Sequence, residues 1–215
     1  MNTVQYILIA AVLFIFVSMI WRLISFRKSL PCPSWLGWMV ELDNPFTKTN
    51  RASVIIGLSG LQPGMKVLDA GCGPGRLSIP AAQAIGSQGE LTALDLQAGM
   101  LARVQEKART AGLSNLRFIL AGLGEGKLEK NYYDRALMVT VLGEIPGQET
   151  ALKEVYEALK PGGILSVTEV IFDPHFQNRA TVQRVASKVG FREVGFYGKR
   201  LAYTMHFEKN ESPIH

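Results

Sequence analysis

The residues with the clearest chemical potential lie in a glycine-rich turn, Val67–Arg76, with the sequence VLDAGCGPGR. Three glycines at alternate positions, Gly71, Gly73 and Gly75, follow an apolar strand pattern and precede a helical pattern. Glycines permit a tight turn and leave bare backbone, so a ligand can approach the N-terminus of the helix. The dinucleotide fingerprint needs a glycine where this chain has Arg76, and the Gly-Lys-Ser/Thr of a phosphate loop is also absent.

A second chemical signal is a carboxylate at the end of the next predicted strand. Asp95 lies 20 residues beyond Gly75, in the run LTALDLQ. An acid at this place in a β-α-β unit can accept two hydrogen bonds from ribose hydroxyls. The turn and the acid together predict a nucleoside site that does not require a diphosphate. Taken separately, the turn could be a simple strand–helix connection and Asp95 a surface acid.

These residues need a scaffold that places strand ends side by side. From residue 60 onward, short β-like runs alternate with helical runs. The predicted strands are 66–69, 90–96, 116–120, 134–140, 164–170, 191–196 and 201–207, and the predicted helices are 76–85, 100–111, 149–160 and 180–189. This alternation predicts an α/β fold with a Rossmann-like, doubly wound, seven-stranded sheet that is mostly parallel. Only a short segment that includes Gly198, Lys199 and Arg200 separates the last two strands, so we expect an antiparallel C-terminal hairpin, with one end strand running antiparallel.

The first segment of the chain predicts a membrane anchor. Thr3–Trp21 carries no charge, and its nineteen residues would span roughly 28 Å as a helix, close to the hydrocarbon core of a bilayer. Nothing basic precedes it, whereas Arg22, Arg27 and Lys28 follow, which predicts a single-pass membrane protein with its catalytic domain in the cytoplasm. A cleaved signal peptide would need a basic start and a shorter apolar stretch, and a buried core helix would have a polar face.

The chain divides into four predicted segments. They are an anchor with its basic flank (1–29), a connector (30–50), the domain that carries the site (51–209) and a polar tail (210–215). The connector contains an apolar cluster, Trp35 to Trp38, which fits packing on the domain and a position among lipid headgroups equally well.

Composition narrows the classes of function. The chain is 47% apolar and 19% charged with a net charge of +5, and it has no dense run of Lys and Arg, so no nucleic-acid partner is predicted. Its two cysteines, Cys32 and Cys72, are far apart and are predicted to be free thiols in a reducing compartment. No pair of Cys or His residues has metal-ligand spacing, so no metal is predicted.

The motifs resemble those of a known family. VLDAGCGPG followed by LTALDLQ is similar to the first two motifs of class I S-adenosylmethionine-dependent methyltransferases. Tyr133–Leu137 and the run LKPGGILSVTEV resemble their later strands, so the resemblance covers about Leu61 to Phe207. It implies methyl transfer with S-adenosylmethionine as cofactor.

The resemblance also implies roles for individual residues. Those expected around the methionine and ribose portions of the cofactor are Asp69, Gly71, Gly73 and Gly75. Asp95 would bind both ribose hydroxyls, and Leu96 would pack on the adenine ring. The family usually has an acid after the third strand, where this chain has Gly122, so adenine contact is expected from backbone or from Leu123.

The acceptor side is expected beyond the C-terminal ends of the strands. Two predicted loops there, 140–146 and 169–176, carry three candidates for a general base: Glu144, Glu169 and His175. Each could instead be structural, as a helix cap, a strand-end acid or a solvated loop histidine. A base is needed for a weakly acidic hydroxyl or carbon acid, and less so for a thiolate or neutral amine.

The predicted anchor bears on the acceptor. Confinement near a bilayer raises the encounter rate with a lipid-like substrate, so we expect the lipid bilayer as a partner and a small or lipophilic, membrane-associated acceptor. A phospholipid amine, a quinone precursor and a thiol all fit. The alternatives are a non-catalytic, membrane-anchored S-adenosylmethionine-binding sensor or scaffold, and a small nicotinamide dehydrogenase, against which Arg76 and the closing hairpin argue.

Overall fold

A computed structural model of the protein describes residues 50–210 and six helical positions nearer the N-terminus, Gln5, Tyr6, Ile9, Val12, Leu13 and Phe16. The predicted anchor (1–29), connector (30–50) and tail (210–215) therefore lie outside the described residues, apart from those six positions, Asn50 and Asn210. Within the described part of the chain, no helix is both long enough and apolar enough to cross a membrane.

Strands and helices alternate through residues 52–209. The strands are β1 (Lys66–Ala70), β2 (Glu90–Asp95), β3 (Leu116–Leu120), β4 (Tyr133–Val139), β5 (Leu159–Val170), β6 (Phe191–Lys199) and β7 (Ala202–Lys209). The helices are α1 (Ala52–Leu58), α2 (Ser78–Ile85), α3 (Ala98–Thr110), α4 (Gln148–Ala158) and α5 (Arg179–Val189), and a 3-10 turn, Leu142–Glu144, follows β4. Helix α1 has no counterpart in the sequence prediction.

The seven strands form one sheet in the order β3-β2-β1-β4-β5-β7-β6. β1 to β5 pair in parallel, and β7 pairs antiparallel with both β5 and β6. The mostly parallel sheet with an antiparallel C-terminal hairpin is therefore confirmed. One of the two closing strands, β7, runs antiparallel to its neighbours as expected; it lies beside β5, and β6 forms the edge of the sheet. After β5 the chain runs through α5 to β6, which lies two strand positions away from β5. The hairpin then returns as β7, which occupies the position between β5 and β6.

The junction of α4 and β5 also differs from the prediction. The helix ends at Ala158 and the strand begins at once at Leu159, so Pro161–Gly163 lies within β5. Tyr133 pairs with Leu159, whereas Arg135 pairs with Ile164. The extra residues of β5 form an irregularity in the ladder, which is how a sheet accommodates a proline.

The hydrophobic core lies on both faces of the sheet. In β1, Val67 belongs to a cluster with residues of α2 and α3, and its neighbour Leu68 to a second cluster with residues of α4 and α5. Successive side chains of a strand point to opposite faces, so both faces of β1 are buried, as expected for a doubly wound sheet. The C-terminal ends of the strands are therefore where a ligand can reach the sheet.

Candidate active site

A cleft with a volume of about 270 Å³ opens at the C-terminal ends of β1, β2 and β4. Seven residues predicted from sequence line it: Gly71, Gly73, Asp95, Leu96, Gly122, Leu123 and Glu144. Four predicted residues do not line it: Asp69, Gly75, Glu169 and His175. Open α/β sheets bind their ligands at this position, so the cleft is the candidate active site.

Asp95 joins the glycine turn to the end of β2. Its Oδ2 accepts a hydrogen bond from the backbone N–H of Gly73 at 2.9 Å, and its Oδ1 accepts one from the N–H of Gln97 at 2.8 Å. Burial raises the pKa of this carboxyl. Each oxygen of the Asp95 carboxylate has a further lone pair. Because Asp95 lines the cleft, it can still accept hydrogen bonds from two ligand hydroxyls.

The three glycines of the turn have different roles. All three have positive φ: 72° at Gly71, 52° at Gly73 and 86° at Gly75. A Cβ on Gly71 would lie 2.6 Å from Val141 Cγ2, and one on Gly75 would lie 3.1 Å from Val104 Cγ2, whereas one on Gly73 would meet nothing within 4 Å. The absence of a side chain thus lets the loop after β4 pack closely on Gly71 and lets α3 pack closely on Gly75. At Gly73 it leaves open the space that a ligand would occupy.

Asp69 supports the site from inside the domain. It is buried, and its Oδ2 accepts a 2.6 Å hydrogen bond from Ser78 Oγ at the start of α2. Burial raises its pKa to about 6, and the Ser78 hydrogen bond opposes that shift. Its side chain links β1 to α2 and so helps to hold the glycine turn between them.

The far end of the cleft offers apolar surface. Leu96 is 57% exposed and lies in the wall with Gly122 and Leu123. The loop that carries Gly122 and Leu123 is held by Glu154 of α4, which accepts hydrogen bonds from the N–H groups of Gly124 and Leu128. A planar ring can pack on such a surface, and it needs no acid at position 122.

The acceptor side brings together two loops that are distant in sequence. Glu144, in the 3-10 turn after β4, and Asp173, in the loop after β5, both line the cleft. His175 lies buried behind them, with its Nδ1 3.8 Å from Glu144 Oε1 and 3.8 Å from Asp173 Oδ1. A Cβ on Gly143 would overlap the carbonyl oxygen of His175, so the two loops are in close contact.

Burial changes the acidity of two predicted bases. It raises the pKa of Glu144 to about 8, and the nearby Asp173 adds to the shift. It raises the pKa of Glu169 to about 8 as well, against a 3.0 Å hydrogen bond from the N–H of Gln177. Glu169 Oε1 is buried without a hydrogen-bond partner among the described residues. Of the three candidates, therefore, Glu144 is the one that combines a raised pKa with a place in the cleft wall.

Sequence reasoning missed several residues of the wall. Asp173 falls in one of the two predicted loops, so its position could have been used to find it, although Glu169 and His175 are the stronger bases by type. Thr140, also in the wall, has φ 54°, and a non-glycine residue in this region is strained. Strain of this kind occurs often at functional sites, but no sequence pattern predicts it here.

The described residues hold neither a metal cluster nor an exposed thiol. No group of three or more His, Cys, Asp or Glu among them could hold a metal ion. Cys72 is a buried free cysteine, and burial raises its pKa, so its thiol is protonated at neutral pH.

Comparison with known proteins identifies the family of this domain. A methyltransferase domain family matches residues 61–208. The chain is 36% identical over 110 residues to a demethylmenaquinone methyltransferase of Staphylococcus aureus, which is 51% of this chain and 45% of that protein. It is 32% identical over 123 residues to a ubiquinone/menaquinone biosynthesis C-methyltransferase of Vibrio vulnificus, which is 55% of this chain and 47% of that protein.

A solved structure shares the fold. It is a SAM-dependent methyltransferase from Aquifex aeolicus, with a TM-score of 0.74 and 19% identity, matched over 83% of this chain and all of that one. The chain belongs to the methyltransferase domain family, and its fold is that of an S-adenosylmethionine-dependent methyltransferase. The chain spans about half the length of the curated relatives it matches.

Two substitutions separate the structural and ligand-facing glycines. Gly71→Ala should destabilise the fold by about 2–4 kcal/mol, because the new methyl group meets Val141 and the left-handed backbone adds strain. Gly73→Ala adds only the strain, about 1–2 kcal/mol, but it should weaken S-adenosylmethionine binding roughly tenfold or more because the methyl group fills the open cleft. Urea unfolding and calorimetry measure the two effects, and equal destabilisation by both variants would contradict the assignment.

Proposed function

We propose that this protein transfers the methyl group of S-adenosylmethionine to a lipophilic, membrane-associated acceptor with a hydroxylated ring, of the quinone-precursor class. The observation that carries the proposal is Glu144, a carboxyl with a pKa raised by burial to about 8 in the wall of the cleft. A general base is most effective when its pKa lies near the working pH. Such a base is needed for a weakly acidic hydroxyl, whereas a thiolate or neutral amine does not need one.

The residues of the cleft fit the donor. Gly73 leaves bare backbone at the turn, Asp95 can accept from both ribose hydroxyls, and Leu96 offers apolar surface to the adenine ring. S-adenosylmethionine carries its methyl group on a positively charged sulfur. An acceptor carbon can attack that methyl group, and the sulfur then leaves as a neutral thioether. The task of the protein is then to align the acceptor and to exclude water.

Glu144 would activate the acceptor. Its carboxylate takes the proton of a ring hydroxyl, and the electron pair that remains on oxygen makes the adjacent ring carbon nucleophilic. As that carbon bonds to the methyl group, the methyl–sulfur bond breaks and S-adenosylhomocysteine leaves. The carbon then loses its own proton to solvent, the ring becomes aromatic again, and its oxygen regains the proton from Glu144. Asp173 and His175 lie beside Glu144, and their part is to fix the position and charge of the carboxylate.

The relatives support this choice of acceptor. The matched proteins of Staphylococcus aureus and Vibrio vulnificus are named for demethylmenaquinone and for ubiquinone and menaquinone biosynthesis. Among the acceptors that the sequence left open, a quinone precursor agrees with both of these names and with a base in the cleft. A phospholipid amine or a thiol agrees with neither.

Membrane association is part of the proposal. Its support is the uncharged run Thr3–Trp21 and the cations Arg22, Arg27 and Lys28 that follow it, which favour a single-pass anchor with the catalytic domain in the cytoplasm. Extraction of membranes at alkaline pH should leave the protein in the pellet. Its release into the supernatant would exclude the anchor and leave the methyl-transfer proposal in place.

A labelling experiment tests the function. The full chain in detergent micelles is incubated with S-adenosylmethionine carrying a radioactive methyl group and with a demethylated quinol, phosphatidylethanolamine or a lipophilic thiol in separate reactions. Label is expected in the quinol, on a ring carbon. Label in the phospholipid or thiol alone would refute the acceptor class, and donor binding without any labelled product would indicate a non-catalytic sensor or scaffold.

A further inference from the structure

The tip of the β6–β7 hairpin and the loop after β5 together expose apolar and cationic side chains. Phe172 is 55% exposed, Leu201 54% and Tyr197 39%, and Lys199 and Arg200 between them in the hairpin are also exposed. We refer to these five residues as the hairpin-tip patch. Single exposed apolar residues are common on proteins, so the patch has meaning only if its members are neighbours.

Backbone contacts join the segments that carry Phe172 and Leu201. The N–H of Ile171 donates a 2.8 Å hydrogen bond to the carbonyl of Leu201, which places Phe172 next to the hairpin tip. Just before it, Val170 pairs with Ala202 across the β5–β7 ladder. Phe172 and Leu201 are therefore held together by the sheet itself.

The patch lies at the same edge of the sheet as the cleft. Val170 is the last residue of β5, and the tip of the hairpin pairs with that end of the strand. Phe172 directly precedes Asp173, which lines the cleft. Any surface that contacts the patch is therefore close to the mouth of the active site.

The charge of the patch is positive. Neither Lys199 nor Arg200 forms an ion pair with another residue in the described part of the chain. The acids of the hairpin, Glu193 and Glu208, pair with arginines near its opposite end. The tip thus presents two cations beside Phe172 and Leu201, and the half-exposed ring of Tyr197 packs on His206 further along the hairpin.

We propose that the hairpin-tip patch inserts into the headgroup region of an anionic lipid bilayer and holds the mouth of the cleft against the membrane. Aromatic rings with a polar edge and lysine or arginine side chains favour the interface of a bilayer, and each cation near an anionic surface adds attraction. Charge complementarity and the position of the patch beside the cleft identify a lipid surface as the partner.

The consequence concerns the path of the acceptor. A lipophilic acceptor that enters between the patch and the cleft passes from lipid to Glu144 without crossing water. This step rests on the proposed function, whereas insertion of the patch does not, because insertion depends on exposure and charge alone.

Site-specific fluorescence tests the proposal on the full chain. In a background with Cys32 replaced by Ser, an environment-sensitive dye is attached at Leu201→Cys and, as a matched control, at Ser87→Cys. Ser87 is exposed and lies just before β2, at the opposite edge of the sheet. Both labelled proteins keep the same N-terminal segment, so attachment through that segment would affect them equally. The protein is reconstituted into vesicles of phosphatidylcholine and phosphatidylglycerol that carry a spin-labelled quencher lipid.

The dye at position 201 is expected to shift to the blue and to be quenched, whereas the dye at position 87 is not. Adding Lys199→Glu and Arg200→Glu should reduce the fraction of protein whose hairpin-tip patch is inserted roughly thirtyfold or more. Vesicles of phosphatidylcholine alone should reduce this fraction as well. Equal quenching at both positions, or none at position 201, would overturn the proposal and leave the patch to a protein partner. Because the readout is depth and not turnover, a failure here is distinct from a failure of methyl transfer.

Discussion

Replacing Asp95 with Ala is expected to weaken S-adenosylmethionine binding by two to four orders of magnitude. Two charge-assisted hydrogen bonds to ribose hydroxyls are lost, each contributing about 1.5–3 kcal/mol. The substitution also removes the acceptor for the N–H groups of Gly73 and Gln97, so the glycine turn loses its link to β2. Isothermal titration calorimetry with the purified full chain measures the change in affinity.

Asp134→Asn is the matched control for this experiment. Asp134 also accepts a backbone hydrogen bond, from the N–H of Lys66, and it pairs with Lys160, but it lies at the opposite edge of the sheet. Its loss should change stability and not donor affinity.

Because burial raises the pKa of Asp95, donor affinity of the unmodified protein should also fall as the pH drops through that raised pKa. Undiminished binding by Asp95→Ala would remove the ribose assignment.

Glu144→Gln is expected to lower kcat for methyl transfer to a quinol about 10²- to 10⁴-fold, because the amide cannot accept the hydroxyl proton. Donor affinity should stay within a few-fold, since Glu144 lies on the acceptor side. The unmodified protein should become faster as the pH rises through about 8, where the buried carboxyl loses its proton. Initial rates from pH 6 to 10, at saturating donor, measure both effects.

Stability distinguishes loss of the base from loss of the fold. The folded protein binds the Glu144 proton more tightly than the unfolded chain does, so this carboxyl destabilises the fold as the pH rises from about 4.5 to about 8. Glu144→Gln should therefore be at least as stable as the unmodified protein at pH 8. Glu149→Gln, at an exposed acid paired with Lys188, is the control and should retain activity. Full activity of Glu144→Gln would refute the proposed base.

Sequence patterns alone predicted the order of the seven strands and of helices α2 to α5, and they placed the glycine turn and Asp95 at the ends of consecutive strands. Regular alternation of strand and helix patterns allows few arrangements, and the two donor signals come from consecutive strands. β1 and β2 pair with Ala70 opposite Leu94, so Gly71 and Asp95 leave the sheet side by side. A local motif is enough for such a site because the β-α-β unit builds it from neighbouring segments.

The placement of the candidate bases and of the strands at the sheet edge depends on long-range packing, which the sequence patterns do not report. Residue type does not distinguish Glu144 from Glu169 or His175 as a candidate base. Glu144 lines the cleft because of the path of the loop after β4, and that loop packs at Gly143 against the backbone of His175. The position of β7 beside β5 likewise depends on pairing between distant segments. Sequence periodicity reports contacts between residues a few positions apart, whereas these features arise from contacts between segments about 30 residues apart or more.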